Sequence, residues 1–394
     1  MFEKLSERGS RFGGLFFIGI NSILVSAILA CGFEGPSSGQ QISTAADTLH
    51  IQADSLKQDT LVASIADTAA KKTYRIIGVG DMMLGTNYPS KNYLPANGGK
   101  NLLTEVNPIL RDADVTFGNL EGTILNEGGT AKRCKNPSLC YVFRSPESYV
   151  QHYVDAGFDL LSIANNHSGD FGATGRKRTK AVLDKAGIAY AGLAGTDEMT
   201  VIERDGVRYG MAAFAPNVGT CDIRNIRKAK QIVSQLAEQS DIVIVSFHGG
   251  AEGAKNQHVP KKTETYYGEN RGNVHQFAHA VIDAGADVVF GHGPHVTRAA
   301  ELYKDRFIIY SLGNFCTYGR FNLRGAAGIA PIISLEVDEE GAFVSGQATA
   351  IYQAKTHGPK IDSQKRAIKK LQELTRVDFP NTSLVIGDDG ELSQ

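Results

Sequence analysis

An apolar run that stops at three polar side chains lies within residues 156–167, which read Ala156-Gly157-Phe158-Asp159-Leu160-Leu161-Ser162-Ile163-Ala164-Asn165-Asn166-His167. Ala156-Gly157 is typical of a helix end, and the apolar run that follows has the length and composition of a buried strand. Two amides and an imidazole are costly to bury at the end of such a strand unless they have partners. This stretch therefore predicts a helix and a strand that lead into a functional site.

The same arrangement, an apolar run followed by a polar cluster, occurs at four other places. These clusters are Gly80-Asp81, Asn119-Leu120-Glu121, Phe247-His248 and Gly291-His292-Gly293-Pro294-His295. Helical patterns separate several of the runs, at residues 102–111, 146–156, 174–186, 226–238 and 274–284. Alternating strands and helices indicate an α/β fold, in which the loops at the carboxyl ends of the strands converge on one site.

The second half of the chain changes its pattern. Residues 201–203 with 209–214, and 332–337 with 343–352, are typical of paired antiparallel strands, and the second pair is joined by the turn signal Asp338-Glu339-Glu340-Gly341. A closing helix is predicted at residues 363–376, and the final residues are predicted to be loose.

Together the five clusters supply the donor atoms of a metal centre. Asp, Glu, Asn and His offer mixed oxygen and nitrogen ligands, which suit divalent ions. Each cluster alone is weak evidence, because a Gly-Asp pair is more often a turn and an isolated His more often a core residue. Five such clusters in one chain predict a shared metal-binding site.

Charge and the N-terminus restrict the protein class. Lys and Arg total 41 against 42 acidic residues, which argues against a nucleic-acid partner.

Lys4, Arg8 and Arg11 precede an uncharged stretch at residues 12–30, directly before Cys31. This resembles a bacterial lipoprotein signal, with Cys31 as the lipidated first mature residue; the alternative is an uncleaved signal anchor. Both place the protein body outside the cytoplasm, in the cell envelope and tied to a membrane.

The segment after Cys31 differs in composition from the rest. Residues 34–73 contain no aromatic residue, so residues 31–72 are predicted to form a disordered tether. The folded domain is predicted at residues 73–355, followed by a C-terminal helix and tail at 356–394.

In an oxidising compartment, Cys134 and Cys140 are predicted to form a disulfide around a short loop.

Several motifs closely resemble the CapA family of capsule and poly-γ-glutamate synthesis proteins. The resemblance covers residues 73–352. It rests on residues 156–167 with Asp170, Gly172 and Gly175, and on Gly80-Asp81-Met82-Met83-Leu84-Gly85, Gly118-Asn119-Leu120-Glu121-Gly122, residues 285–295 and Tyr310-Ser311-Leu312-Gly313-Asn314-Phe315. It implies a metallophosphoesterase-like fold, a four-layer α/β/β/α sandwich with two mixed sheets.

The resemblance also implies a role for each matching residue. Asp81 would be the first metal carboxylate and Glu121 the carboxylate that bridges two ions. Asn166, His248 and His292 would hold one ion, and His295 would help to hold the other. His167 would face the substrate as a general acid or a transition-state donor. The implied cofactor is a divalent metal such as Mn, Zn, Fe or Mg.

One position departs from the pattern of metallophosphoesterases. Their first motif is normally Asp-x-His, and here Met83 takes the place of the His. A thioether is a poor ligand for hard divalent ions, so one metal position is short of a ligand. This departure puts phosphoesterase catalysis in doubt, whereas polymer or phosphate binding remains expected.

Four further residues are candidates for substrate binding: Asn119, Asn165, Glu252 and Arg271. The two amides flank the predicted metal ligands. Glu252 follows His248 by four positions and either orients a ligand or water, or caps the following loop. Arg271 ends a segment at residues 254–272 with several Lys and Tyr residues, which is either a solvated loop or a cover for an anionic substrate.

Three functions are compatible with these residues. The first is a metal-dependent hydrolase of the cell envelope that acts on poly-γ-glutamate or a related anionic polymer. The second is a non-catalytic accessory protein that binds such a polymer, within a capsule-synthesis complex, during synthesis or export. The third, a phosphoesterase for small phosphates, follows from fold analogy alone.

Overall fold

The computed structural model describes residues 72–134, 140–354 and 357–394. The predicted signal peptide, the predicted tether and Cys31 lie outside these ranges. Among the helices of the described ranges, none has the length and apolar character needed to cross a membrane.

Strands dominate the described residues. They are β1 (Thr73–Met83), β2 (Val115–Leu120), β3 (Thr123–Ile124), β4 (Arg144–Ser145), β5 (Leu160–Ser162), β6 (Ala189–Ala191), β7 (Met199–Arg204), β8 (Val207–Phe214), β9 (Ile242–His248), β10 (Glu264–Tyr266), β11 (Glu269–Gly272), β12 (Val288–His292), β13 (Ala300–Tyr303), β14 (Arg306–Ile309), β15 (Asn314–Thr317), β16 (Ile329–Asp338), β17 (Phe343–Ala354), β18 (His357–Ile361), β19 (Val385–Ile386) and β20 (Glu391–Ser393). The α-helices are α1 (Asn107–Leu110), α2 (Val150–Ala156), α3 (Gly172–Ala186), α4 (Ile226–Ala237), α5 (Val274–Ile282) and α6 (Arg366–Asp378).

Two large mixed sheets form the centre of the protein. The first has the order β19-β20-β17-β16-β1-β2-β5-β6, with β15 also beside β1 and β18 beside β17. The second has the order β13-β14-β12-β9-β8-β7. In each sheet the strands that lead to the polar clusters run parallel, whereas the pairs β16–β17 and β7–β8 are antiparallel, as the sequence predicts.

The two sheets pack face to face and are covered by helices. Phe117 of the first sheet and Phe290 of the second stack between them, with ring centroids 5.4 Å apart. Side chains of α1, α2 and α3 share a core with the other face of the first sheet, and side chains of α4 and α5 share one with the second. Strands buried on both faces explain the nearly continuous apolar runs in the sequence. The predicted α/β/β/α sandwich is confirmed.

Strand register brings the polar clusters to one edge of the sandwich. Asp81 lies opposite Asn119 across β1 and β2, and Asn119 lies opposite Ser162 of β5. In the second sheet, His248 lies opposite His292 at the carboxyl ends of β9 and β12. Because these strands are parallel within each sheet, their polar ends meet at one edge.

Two regions differ from the sequence prediction. The helix expected at residues 102–111 is reduced to α1, with Pro108 in its first turn, where a residue without a backbone N–H is tolerated. The final residues are not loose, because β19 and β20 pair with each other and β20 pairs with β17. Leu384 and Leu392 are buried there, and the described residues from 72 to the C-terminus belong to one compact unit. Helix α6 and the C-terminus therefore belong to the folded domain.

Candidate functional site

Asp81, Glu121 and His295 form the centre of the candidate site, and one ligand atom from each lies within 4.8 Å of the other two. Asp81 lies two residues before the end of strand β1, Glu121 directly follows β2, and His295 follows β12. His295 Nδ1 is 2.9 Å from Asp81 Oδ2, and its Nε2 is 3.5 Å from Glu121 Oε1. Residues that are far apart in the sequence thus share one centre.

A tight turn after β12 positions His295. Gly293 has a φ of 109°, and a Cβ atom there would lie 2.9 Å from the backbone nitrogen of Gly249. His295 itself has a φ of 57°, a conformation that is uncommon for a residue with a side chain. Such backbone strain persists only where the surroundings hold it in place, and it concentrates at functional sites.

The strongest feature of the site is a set of buried polar atoms without hydrogen-bond partners in the described part of the chain. They are both carboxylate oxygens of Glu121, His248 Nε2 and Asn166 Oδ1. A buried carboxylate costs several kcal/mol or more unless a positive charge or hydrogen bonds compensate it. Oxygen and imidazole donors together are the ligands of divalent metal ions, so these residues fit a metal.

The electrostatics of the site favour a positive charge between the two carboxylates. Burial alone lowers the pKa of His295, but the carboxylates of Glu121 and Asp81 raise it to about 10. Burial raises the pKa of Asp81, but the hydrogen bond and charge of His295 outweigh it and lower the pKa to about 2. Burial also raises the pKa of Glu121 well above its usual value. The positively charged imidazolium of His295 thus lies beside both carboxylates, where a metal cation would also be stabilised.

Asn119 and Asn165 lie in this site, and their side-chain amides form hydrogen bonds to other residues of the protein. Asn119 Nδ2 donates to Asp81 Oδ1 at 2.8 Å, and Asn165 Nδ2 donates to Asn119 Oδ1 at 3.1 Å. Asn165 Oδ1 also accepts from the backbone N–H of His167 at 3.0 Å. These amides therefore orient a carboxylate and an imidazole of the site.

His167 lies beside the metal-type cluster and is held by a second carboxylate. Its Nδ1 is 2.8 Å from Asp170 Oδ2, and its ring packs on Phe143 with centroids 4.2 Å apart. Its Nε2 lies 3.8 Å from Glu121 Oε1. With Nδ1–H donating to Asp170, Nε2 is the nitrogen that can exchange a proton at the site.

Lys132 has no counterpart among the residues that the sequence predicts for the site, yet it contacts the carboxylate that holds His167. Lys132 Nζ lies 2.6 Å from Asp170 Oδ1, 3.1 Å from the backbone oxygen of Asn166 and 3.4 Å from His167 Nδ1. Lys132 is two residues from Cys134, which forms a disulfide with Cys140. Only the tertiary structure brings this loop to the site.

Replacing Lys132 with methionine is expected to raise the pKa of His167. Burial and the Lys132 ammonium both lower that pKa, whereas the charge of Asp170 raises it. Removing the ammonium leaves the attraction of Asp170 uncompensated, so the imidazolium becomes more stable. An NMR titration of the His167 ring measures the change. Arg133→Met, which removes an exposed neighbouring cation, is the matched control. An unchanged or lower pKa in Lys132→Met would contradict this role.

His292 is close to the cluster but does not have a free ring nitrogen. Its Nε2 is 3.1 Å from the backbone oxygen of Val79, and its Nδ1 is 3.4 Å from Ser246 Oγ. His292 still belongs to strand β12, and its ring packs against Phe117 between the sheets. The ligand role that the resemblance implies for His292 is therefore not supported by its contacts. Met83 is also buried, at 1% exposure.

Glu252 and Arg271 are brought together at the site. Arg271 Nη2 donates to Glu252 Oε1 at 2.8 Å, and the guanidinium lies over the ring of Tyr266 at 5.6 Å. Arg271 is 5% exposed, and its Nη1 has no hydrogen-bond partner among the residues described. The segment at residues 254–272 contains the hairpin β10–β11, which Arg298 anchors through a buried ion pair with Glu264 at 2.8 Å.

Two relatives of the chain are named for capsule or PGA biosynthesis. The chain is 29% identical over 248 residues to the capsule biosynthesis protein CapA of Bacillus anthracis, covering 60% of this chain and 58% of that protein. It is 29% identical over 276 residues to the PGA biosynthesis protein CapA of Bacillus subtilis, covering 64% of this chain and 67% of that protein. The match thus spans less than two thirds of the length of the Bacillus anthracis relative.

Solved structures and a family model complete the comparison. A novel phosphatase from Mycoplasma pneumoniae aligns with a TM-score of 0.43 at 14% identity, covering 75% of this chain and 96% of that chain. The family model described as bacterial capsule synthesis protein PGA_cap matches residues 75–318, which include Asp81, Glu121, His167 and His295. The chain therefore belongs to the bacterial capsule synthesis protein family PGA_cap.

Proposed function

We propose that this protein is a metal-dependent hydrolase of the cell envelope that cleaves poly-γ-glutamate or a related anionic polymer. One observation carries the proposal: the carboxylate of Glu121 is fully buried, and neither oxygen has a hydrogen-bond partner in the described ranges. It lies beside Asp81 and His295 in a group of ligand type. Relatives named for capsule and PGA biosynthesis support the polymer as substrate class.

The residues that would hold a divalent ion are Asp81, Glu121 and His295, with His248 and Asn166 as further donors. When bound, the ion would supply Lewis-acid polarisation and a lowered pKa for a water molecule. Burial keeps the pKa of His248 well below its usual value, so its imidazole is neutral and able to act as a ligand. Asn119 holds Asp81 in place through its hydrogen bond.

His167 would transfer a proton to the leaving group of the polymer. Asp170 fixes the ring by accepting from Nδ1, which leaves Nε2 facing the cluster. Phe143 packs on the ring and limits its contact with water. General acid catalysis by a positioned imidazole contributes typically about 10²–10⁴-fold to a rate.

Arg271 would recognise the polymer. Poly-γ-glutamate carries a free carboxylate on every residue, and a guanidinium binds carboxylates through paired hydrogen bonds. Arg271 has an unpaired Nη1 in a nearly buried position, within the described residues, and its charge acts on His248. The buried cation therefore offers a second contact for an anionic substrate next to the proposed metal ligands.

Replacing Arg271 with methionine is expected to weaken binding of a γ-glutamyl oligomer by about 10- to 100-fold, the range for a lost hydrogen bond to a charged group. Binding is measured by calorimetry with a short γ-glutamyl peptide. Arg224→Met is the matched control, because Arg224 pairs with Asp222 in an exposed position. Equal affinity in Arg271→Met and the parent protein would show that the guanidinium does not contact the polymer.

The location follows from the leader sequence and belongs to the same proposal. The basic residues and apolar stretch before Cys31 support export and lipid anchoring of the protein to a bacterial membrane. A role in capsule synthesis places its polymer substrate in the same compartment. The protein would then act at the membrane surface, within reach of a capsule-synthesis complex.

A non-catalytic accessory protein that binds the polymer is the second candidate. Met83 favours it, because this buried thioether stands where a metal-binding His is normal in phosphoesterases. The contacts of His292 favour it as well, because they leave fewer nitrogen donors for a second ion. Arg271 and the positive segment around it would serve binding equally well without catalysis.

One experiment separates these functions. The purified protein is analysed for bound metal and assayed for cleavage of γ-glutamyl polymer and of a phosphoester, alongside His167→Ala and His295→Ala. Cleavage of the polymer that is lost in both variants is the expected result. Bound metal with tight polymer binding but no turnover would favour the accessory function, and cleavage of the phosphoester alone would favour a phosphoesterase. Turnover that survives both substitutions would refute the proposed roles.

A further inference from the structure

A second group of ligand-type side chains lies away from the candidate site, where helix α5 meets the edge strand β13. His275 and His279 are one helical turn apart on α5, and Glu301 lies on β13. One ligand atom from each of the three lies within 4.8 Å of the other two. None of these residues belongs to the cluster around Asp81.

Aromatic rings hold this group in position. His279 stacks on Tyr303 with centroids 3.7 Å apart, and His275 lies nearly parallel to Tyr310 at 6.2 Å and to Phe379 at 6.0 Å. The two imidazoles themselves are 4.2 Å apart. Because packing restricts all of these rings, the imidazole nitrogens are arranged before any ligand binds.

Two members of the group, His279 and Glu301, are hydrogen-bonded to each other, whereas the third is not part of this pair. His279 Nε2 is 2.8 Å from Glu301 Oε1, and the hydroxyl of Tyr310 donates to the same oxygen at 2.6 Å. A simple histidine–carboxylate pair would account for these contacts. The side chain of His275, however, has no hydrogen-bond partner within the described ranges, although it faces His279 and is only partly exposed. A ligand shared by all three residues would give the nitrogens of His275 a partner.

We propose that His275, His279 and Glu301 bind a divalent transition-metal ion of the zinc class. Two histidines four residues apart on a helix, with a carboxylate from another element, supply the two nitrogens and one oxygen that zinc accepts. Magnesium and calcium prefer oxygen ligands alone and fit this set poorly. The side chain of His279 is 24% exposed, so solvent can reach the group and complete the coordination.

The position of the group indicates what the ion does. It links α5, which covers the second sheet, to β13 at the edge of that sheet, and Phe379 at the end of α6 packs on the same rings. An ion bound there stabilises the folded state by mass action and holds these elements together. This is a structural site, and it is independent of the function proposed for the cluster around Asp81.

The test uses the full chain, stripped of metal and then dialysed against Zn²⁺. His275→Phe is the sharpest variant, because phenylalanine keeps the ring that packs on Tyr310 and Phe379 but removes both nitrogens. We expect His275→Phe to bind one zinc ion fewer per chain than the parent, and to lose a zinc-induced rise in Tm of at least about 2 °C. The Tm of the metal-free variant verifies that the fold is intact.

Two further variants make the result specific. His258→Phe removes a histidine that pairs with Asp378 at 2.7 Å outside this group, and it is expected to bind as much zinc as the parent. Glu121→Gln changes the cluster around Asp81 but leaves His275, His279 and Glu301 intact. It is therefore expected to keep the zinc-induced rise in Tm that comes from these three residues. An unchanged zinc content and an unchanged rise in Tm in His275→Phe, with the metal-free fold intact, would overturn the proposal.

Discussion

Replacing Glu121 with glutamine is expected to abolish binding of a divalent ion at the cluster of Asp81, Glu121 and His295. Glutamine has nearly the same shape but no charge, and the carboxylate it replaces is fully buried without a hydrogen-bond partner in the described residues. Mutations of residues that only support metal ligands typically weaken binding by about 10- to 100-fold, so loss of a ligand should cost at least about 100-fold. The fold should survive, because glutamine keeps the shape of the side chain and removes the cost of burying a carboxylate.

The measurement is a metal titration in the His275→Phe background, so that the second group does not contribute. Circular dichroism and Tm of the metal-free protein verify that the variant is folded. The matched control is Glu147→Gln, which removes an acidic group that pairs with Arg178 at the surface. Metal affinity in Glu121→Gln that equals that of the control would show that Glu121 is not a ligand, and the metal-dependent function would then lose its main support.

Replacing His167 with asparagine is expected to reduce turnover of the polymer by about 10²–10⁴-fold while metal binding stays intact. His167 is not a member of the Asp81 cluster, and its Nε2 lies 3.8 Å from Glu121 Oε1 while Nδ1 is held by Asp170. Its loss therefore removes a proton donor without removing a ligand. Rates are measured with a γ-glutamyl oligomer at saturating concentration, because the effect should appear in kcat rather than KM.

A surface histidine provides the comparison for this substitution. His152→Asn changes a residue whose ring contacts the backbone oxygen of Gly98 away from the proposed machinery, and its turnover should equal that of the parent. Normal turnover in His167→Asn would assign proton transfer to another group. Loss of metal together with turnover would instead place His167 among the ligands, because its role would then be to hold the ion.

Much of the architecture could be predicted from local sequence patterns. Apolar runs such as residues 242–247 identify strands, since a strand covered on both faces must be apolar throughout. Glycines after α2 and α3 mark helix ends, and both adopt the left-handed conformation in the structure. The short strands β19 and β20 were not predicted, because their pairing with β17 depends on packing rather than on their own composition.

The candidate site was predictable in its residue types but not in its contacts. Polar clusters after apolar runs located Asp81, Glu121, His167 and His295, because burial of such groups requires partners. Lys132 gave no comparable signal, since it lies in a loop rather than after a strand, and only folding brings it beside Asp170. The group at α5 was also missed, because Glu301 lies 22 positions after His279 on a different element.

The sequence by itself determined the α/β class, the family and the identity of the polar residues at the strand ends, because these depend on periodicity and on motifs that are continuous in the chain. Only the tertiary structure decided which ring nitrogens and carboxylate oxygens remain available. His292 uses both nitrogens within the protein, whereas Glu121 has none of its oxygens bonded in the described residues. The reason is physical: whether a polar atom is satisfied depends on neighbours that are distant in sequence, and folding alone sets those neighbours.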